Sequence, residues 1–244
     1  MQPQYAYHAL QGEAECLMEA PQCEHSKFMR PNNNKQEKSE VCTMAEPWDV
    51  LLCRGQGLVH EAILLAQNHN LQRQTQWSHV GLIITSEVFP HPKLKPGELY
   101  VLESTAGGLL GDGVYDVVRE ETFVGVQIRP LQELLALEGD QYAWLPLLER
   151  PALRDRSDVV YRYLHKGYDW SPLCLVSSVL ERTRPLRNLF INADSRFFCS
   201  ELVARVYQDL GLLSDELRAD NVIPADFVGG GELPQLWGEP VPMG

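Results

Sequence analysis

Phe197-Phe198-Cys199-Ser200-Glu201-Leu202-Val203-Ala204-Arg205-Val206-Tyr207-Gln208-Asp209-Leu210 is the stretch whose reading decides the fold. Counting from Cys199, apolar residues fall at i+3, i+4, i+7, i+8 and i+11 (Leu202, Val203, Val206, Tyr207, Leu210), one face of a 3.6-residue helix. The thiol therefore shares the core-facing stripe and stands at the mouth of the helix. Backbone N–H groups in a first helical turn lack helical acceptors, and the positive end of the macrodipole reinforces them, so a cysteine here is drawn toward thiolate. That is the placement of a nucleophile. The competing reading, a small buried hydrophobe, is common for free cysteine; the rest of the chain argues against it.

A thiolate nucleophile needs a base, and seven histidines are available. His79 stands out in Trp77-Ser78-His79-Val80-Gly81-Leu82-Ile83-Ile84, a short β-branched run that reads as a buried strand. Alternation sets Val80, Leu82 and Ile84 on one face and His79, Gly81 and Ile83 on the other, so a glycine clears space beside the imidazole and a close approach is expected there. The next strand, Leu99-Tyr100-Val101-Leu102-Glu103, ends in a carboxylate on the face of Leu99 and Val101. Glu103 is placed to orient the ring and stabilise an imidazolium.

The segments Ser78-His79-Val80-Gly81-Leu82-Ile83, Tyr100-Val101-Leu102-Glu103-Ser104, Gly167-Tyr168-Asp169 and Phe198-Cys199-Ser200-Glu201-Leu202-Val203 resemble the circularly permuted NlpC-type papain-fold cysteine hydrolases, in particular the YiiX-like subgroup. In that subgroup the histidine strand precedes the cysteine helix, and here the order is His79, Glu103, Cys199. The resemblance runs from about Trp48 to about Phe227, taking in an opening strand Trp48-Asp49-Val50-Leu51-Leu52 and a closing Ile223-Pro224-Ala225-Asp226-Phe227. It implies an α+β fold of the permuted papain-like (NlpC-type) kind, a small antiparallel sheet or barrel packed on the helix that carries the nucleophile. It also implies Cys199 as nucleophile, His79 as base, Glu103 as orienter, and a tyrosine near the nucleophile. Tyr168, 31 residues before Cys199, fills that last position, either as a donor to an oxyanion or as a packed core ring.

A net charge of −12 argues against nucleic-acid binding, which depends on clustered cations. The segment from Arg150 to Arg196 is locally basic, with nine Lys or Arg against five Asp or Glu. It reads either as a field that draws an anionic substrate or as solvated helix faces. The six cysteines are not preceded by a basic, then apolar leader at Met1-Gln2-Pro3-Gln4-Tyr5-Ala6-Tyr7-His8, and no run approaches the ~18 apolar residues of a membrane span. Reduced thiols, a cytoplasmic location and no integral membrane segment are therefore the expectation.

Residues 1–45 read as a disordered or loosely attached extension, residues 46–230 as the catalytic domain, and 231–244 as a tail. Cys16, Cys23, His25 and Cys42 lack the close cysteine pairs of a zinc site, so no metal and no cofactor is expected. Within the domain the reading gives a strand Asp49–Cys53, a turn at Gly55-Gln56-Gly57 and a helix over about 58–68 with Val59, Ala62, Ile63 and Ala66 on one face. His60 and His69 go to its polar side. Then come the His79 and Glu103 strands, a glycine-dense loop at 106–113 without the phosphate-cradling Gly-Lys-Ser/Thr pattern, a strand near Val124–Arg129, and helices near 131–137 and 155–165. Cys174, in the apolar run 173–180, is the competing thiol and is assigned to the core. The leading expectation is a cysteine hydrolase that cleaves an amide bond, peptide or acyl-amino, through an acyl-thioester. A lipid acyl hydrolase or acyltransferase, and a non-catalytic binding module, are the alternatives; the acyltransferase-like relatives usually carry a second histidine where this chain has Glu103.

Overall fold

The computed structural model describes residues 44–70, 74–107, 112–168, 196–229 and 233–243, all within a unit spanning Asn33–Gly244. Cys16, Cys23, His25, Cys42 and nearly all of the expected extension lie outside the described residues, as do Cys174 with its apolar run and residues 108–111 of the glycine-dense loop.

Among the described residues ten strands form: β1 (Val50–Arg54), β2 (His79–Ile84), β3 (Tyr100–Thr105), β4 (Val114–Asp116), β5 (Glu121–Phe123), β6 (Gly125–Pro130), β7 (Gln141–Leu145), β8 (Gly167–Tyr168), β9 (Arg196–Phe197) and β10 (Val241–Pro242). Eight join one sheet in the order β10-β7-β1-β2-β3-β6-β8-β9, antiparallel except for the β8–β9 pair, while β4 and β5 make a separate hairpin. The helices are α1 (Leu58–Leu65), α2 (Leu131–Leu135), α3 (Ser157–Tyr163) and α4 (Cys199–Asp209). The α+β class is borne out, but the sheet is larger than the small one expected.

The central strands read as nearly continuous apolar runs because both faces are covered. Val50, Leu52, Val80, Leu82, Leu102 and Ile128 join one core with Leu202, Val203, Val206 and Tyr207 of α4, which lies against β2 and β3. Leu51, Cys53, Ile83, Val101, Tyr142 and Trp144 form a second core with Leu131 and Leu134 of α2. Each such aliphatic side chain contributes roughly 1.5–3 kcal/mol on burial. Period-2 alternation in β2 thus points Val80 and Leu82 at the nucleophile's helix and Ile83 at the opposite layer, while His79, first in the strand, stands at the sheet end where its ring meets Cys199.

Three expectations change. The helix at 58 ends at Leu65 and continues as a π-helical turn, Ala66–Asn70. Its inward residues are Leu64 and Gln67, while Ala62 is exposed. Gln67 accounts for the difference, since its amide donates to Trp77 O (3.0 Å) and accepts from Ala225 N–H (2.9 Å), docking the turn polar side inward. The first strand starts at Val50, because Trp48 takes a left-handed φ of 73° with its ring buried. Finally, residues 241–242 add the edge strand β10 and both Trp237 and Met243 are buried, so the packed core runs past residue 230 to the C-terminal segment. Pro242 is tolerated there because an edge strand needs fewer ladder donors. Among the described residues no helix is long and apolar enough to cross a membrane.

Candidate active site

The β2–β3 ladder pairs Leu82 with Leu102 and Ile83 with Val101, which carries Glu103 to the level of Gly81 on the face that holds His79. The space cleared by Gly81 is filled by β3: a Cβ there would lie 2.6 Å from Val101 Cγ1 and 3.3 Å from Glu103 Cβ. Glu103 thereby reaches the imidazole, with Oε2 2.7 Å from His79 Nε2. Its Oε1 accepts from Arg129 Nη1 at 3.3 Å, a residue on the same face of β6 two positions beyond Gln127, the cross-strand partner of Glu103.

Cys199 opens α4 after Phe198, whose extended backbone (φ −80°, ψ 163°) makes it the N-cap without a side-chain cap. The first-turn N–H groups are thus left to other acceptors. The Cys199 Sγ is hydrogen-bonded to His79 and accepts from the backbone N–H groups of Val80 and Ser200. With Nε2 held by Glu103, Nδ1 is the ring nitrogen left for the thiol.

The charges alternate along this chain of contacts. Burial pushes the Cys199 thiol up, but the His79 charge and the hydrogen bonds from His79, Val80 and Ser200 outweigh it and leave the thiol below its ordinary value. Burial works against the charge of His79, and the Cys199 thiolate and then Glu103 override it, raising the imidazole. Glu103 is 2 % exposed; burial would raise its carboxyl, yet His79 and Arg129 hold it below its usual range. Cys53, the cross-strand partner of His79, provides an internal contrast. Burial, then the charges of Asp140 and Glu103, push its thiol far above the ordinary value, so it stays protonated. Of these two buried thiols only Cys199 has the His79 charge and hydrogen bond, and then the N–H groups of Val80 and Ser200, to favour its thiolate.

Tyr168 lies in β8, which runs parallel to β9 with Tyr168 opposite Phe197, and its ring meets Phe198 edge-on at 5.9 Å. The structure therefore brings Cys199, His79 and Glu103 together and sets Tyr168 beside the strand entering α4. Two residues, Arg129 and Gln127, went unread in the sequence, and a third, His60, departs from the polar helix side expected of it. Arg129 ends an apolar strand and passes for a surface cation. His60 turns its ring inward, with Nδ1 2.8 Å from Ser78 Oγ. Gln127 is fully buried, and among the described residues neither atom of its amide has a partner.

The basic segment is largely paired where it is described: Arg150 with Glu46 and Asp49, Arg156 with Asp158, Arg162 with Asp209, while the Lys166 ammonium rests over the Tyr163 and Phe197 rings. Among the described residues no group of three or more His, Cys, Asp and Glu is arranged to hold a metal ion.

No protein-family model matches the chain, and no curated protein matches it. Among solved structures, the chain is similar to the metalloprotein yiiX from Escherichia coli O157:H7, at 20% identity over 68% of this chain and 66% of that one, with a TM-score of 0.39. It thus spans just under two thirds of that protein's length, a likeness that leaves the site to be judged on its own geometry.

Proposed function

We propose that this protein is a cysteine hydrolase that cleaves an amide bond, in a peptide or an acyl-amino compound, through an acyl-thioester on Cys199, and that its sheet and α4 form a circularly permuted papain-like (NlpC-type) arrangement. The observation that carries the reading is the unbroken chain Cys199–His79–Glu103, closed by the 2.7 Å contact between His79 Nε2 and a Glu103 that is itself held by Arg129.

In this mechanism the Cys199 thiolate attacks the carbonyl carbon, forming the S–C bond while the carbonyl electrons move to oxygen. The oxyanion lies within reach of the backbone N–H of Cys199, one of the uncapped donors of α4, and Tyr168 supplies a phenol O–H from the neighbouring strand. His79 then gives its proton to the departing amine as the C–N bond breaks. Water loses a proton to His79, adds to the thioester, and the intermediate collapses to a carboxylic acid and a free thiolate. Glu103 holds one ring tautomer and stabilises the imidazolium throughout.

The test is Cys199→Ala, compared with Cys174→Ala, on a panel of peptide, acyl-amino and phospholipid substrates, with mass spectrometry of the enzyme trapped during turnover. The expected result is an acyl adduct on Cys199 and loss of turnover in Cys199→Ala with the fold intact. Full activity in Cys199→Ala with loss in Cys174→Ala would assign the wrong nucleophile, and turnover confined to phospholipids would move the substrate class to lipid acyl groups.

A further inference from the structure

We propose that His60 is a positioning residue for His79, acting through the hydroxyl of Ser78; this rests on the reading of Cys199, His79 and Glu103 given above. Ser78 immediately precedes His79 and is 1 % exposed. Its backbone N–H donates to Cys53 O at 3.0 Å, and its Oγ donates to the same carbonyl at 3.4 Å, accepts from Gly55 N–H at 3.3 Å and lies 2.8 Å from His60 Nδ1. A serine hydroxyl has one hydrogen and two acceptor lone pairs. With the hydrogen on Cys53 O and one lone pair on Gly55 N–H, the other lone pair takes an N–H from His60, which fixes the imidazole proton on Nδ1.

One oxygen thus joins the end of β1, the Gly55 turn, α1 and the start of β2. The seat for the imidazole is built by a missing side chain, because a Cβ on Gly55 would come within 2.4 Å of both Cε1 and Nε2 of His60. The ring is half-buried and faces the charges of His79, Asp140 and Glu61; burial and then the His79 charge keep it below the ordinary histidine value, so it is neutral at neutral pH and adds no repulsion to the imidazolium beside it.

The location matters because the β1–β2 ladder ends at the Cys53–His79 pair. Strand ends fray, and this one carries both the base and, through Val80 N–H, a donor to the Cys199 thiolate. A shift of Ser78–Val80 therefore removes two stabilisers of the thiolate together.

The experiment measures the pH dependence of iodoacetamide alkylation at Cys199, mapped by mass spectrometry, in wild type, His60→Ala, His60→Asn and Ser78→Ala, with folding checked by circular dichroism. Asn places a donor close to the position of His Nδ1, whereas Ala has none. The expected result is an apparent Cys199 pKa raised by about one unit in His60→Ala and Ser78→Ala, roughly tenfold slower alkylation on the acid limb, with most of the change recovered in His60→Asn. Should His60→Ala fail to fold, Ser78→Ala, which keeps the imidazole and removes only the hydroxyl, carries the same test. A lowered melting temperature with a profile superimposable on wild type makes His60 merely structural and overturns the proposal. An ordinary thiol pKa in the wild type itself overturns the parent reading, so the two failures are told apart by the wild-type curve.

Discussion

At Gly81 the absence of a side chain is what allows two strands to share one site. Its place is taken by Val101 and Glu103, and a methyl group there would meet Val101 Cγ1 at 2.6 Å. Gly81→Ala is therefore expected to destabilise the fold by about 1–3 kcal/mol, the usual cost of forcing a group into a filled core, and to push Glu103 from His79. A urea midpoint together with the Cys199 alkylation rate checks both halves; a lowered midpoint with an unchanged rate would mean that β3 gives way elsewhere. Glu103 makes a second residue-scale prediction. Glu103→Gln keeps a hydrogen-bonding group beside His79 Nε2 but loses the charge that stabilises the imidazolium, so turnover falls by orders of magnitude and the acid limb of Cys199 alkylation moves to higher pH. Superimposable profiles would reduce the site to a Cys-His pair.

The seat of α4 is set by four buried side-chain hydrogen bonds at its two ends. Near the nucleophile, Ser104 Oγ donates to Phe197 O at 2.7 Å and Ser200 Oγ to Val222 O at 2.6 Å. At the far end, Tyr207 Oη donates to Trp48 O at 2.6 Å and accepts from Trp237 Nε1 at 3.0 Å. Ser104→Ala and Tyr207→Phe each strand a buried partner and are expected to cost about 1–3 kcal/mol. Their functional effects should differ, because Ser104→Ala frees the strand two residues before Cys199 whereas Tyr207→Phe acts two turns away. Calorimetry paired with Cys199 alkylation tests this; equal effects on alkylation would show that α4 moves as a rigid body. These elements also mark what the sequence makes legible. The α4 stripe and the alternation in β2 and β3 are local periodicities set by burial on one face, so Cys199, His79 and Glu103 could be placed before any coordinates. Arg129 and His60 could not, since each owes its role to a partner distant in the chain: Glu103 across a ladder for Arg129, and for His60 the Ser78 hydroxyl, reached because the missing Cβ of Gly55 admits a ring that helical spacing assigns to solvent. β10 escaped for a related reason, being two residues long and a strand only because β7 lies beside it.

For the whole molecule, the site ties stability to pH. In the folded chain the Glu103 carboxyl titrates below its ordinary 4.5, so as the pH falls the unfolded chain binds that proton first. The stabilisation is present above about pH 4.5 and is lost as the pH falls through the lower folded value. The stability gap between wild type and Glu103→Gln should accordingly be flat from about pH 5 to 6.5 and close below about 4.5, which denaturant titrations across that range will show. A gap that widens in acid would mean that Glu103 is protonated in the fold. The large-scale architecture also explains why the His-before-Cys order works. The antiparallel ladder β1-β2-β3-β6 is assembled from neighbours in the chain and holds His79, Glu103 and Arg129. Cys199 is then delivered from 120 residues beyond His79 by a helix whose apolar face recognises β2 and β3. The central claim is that His79 makes Cys199 a thiolate, and alkylation of Cys199 by iodoacetamide between about pH 5 and 9, in wild type and in His79→Ala, tests it most directly. The account predicts a wild-type apparent pKa well below the ~8.5 of a free thiol and an upward shift by more than one unit in His79→Ala; two coincident curves near the free-thiol value would contradict it.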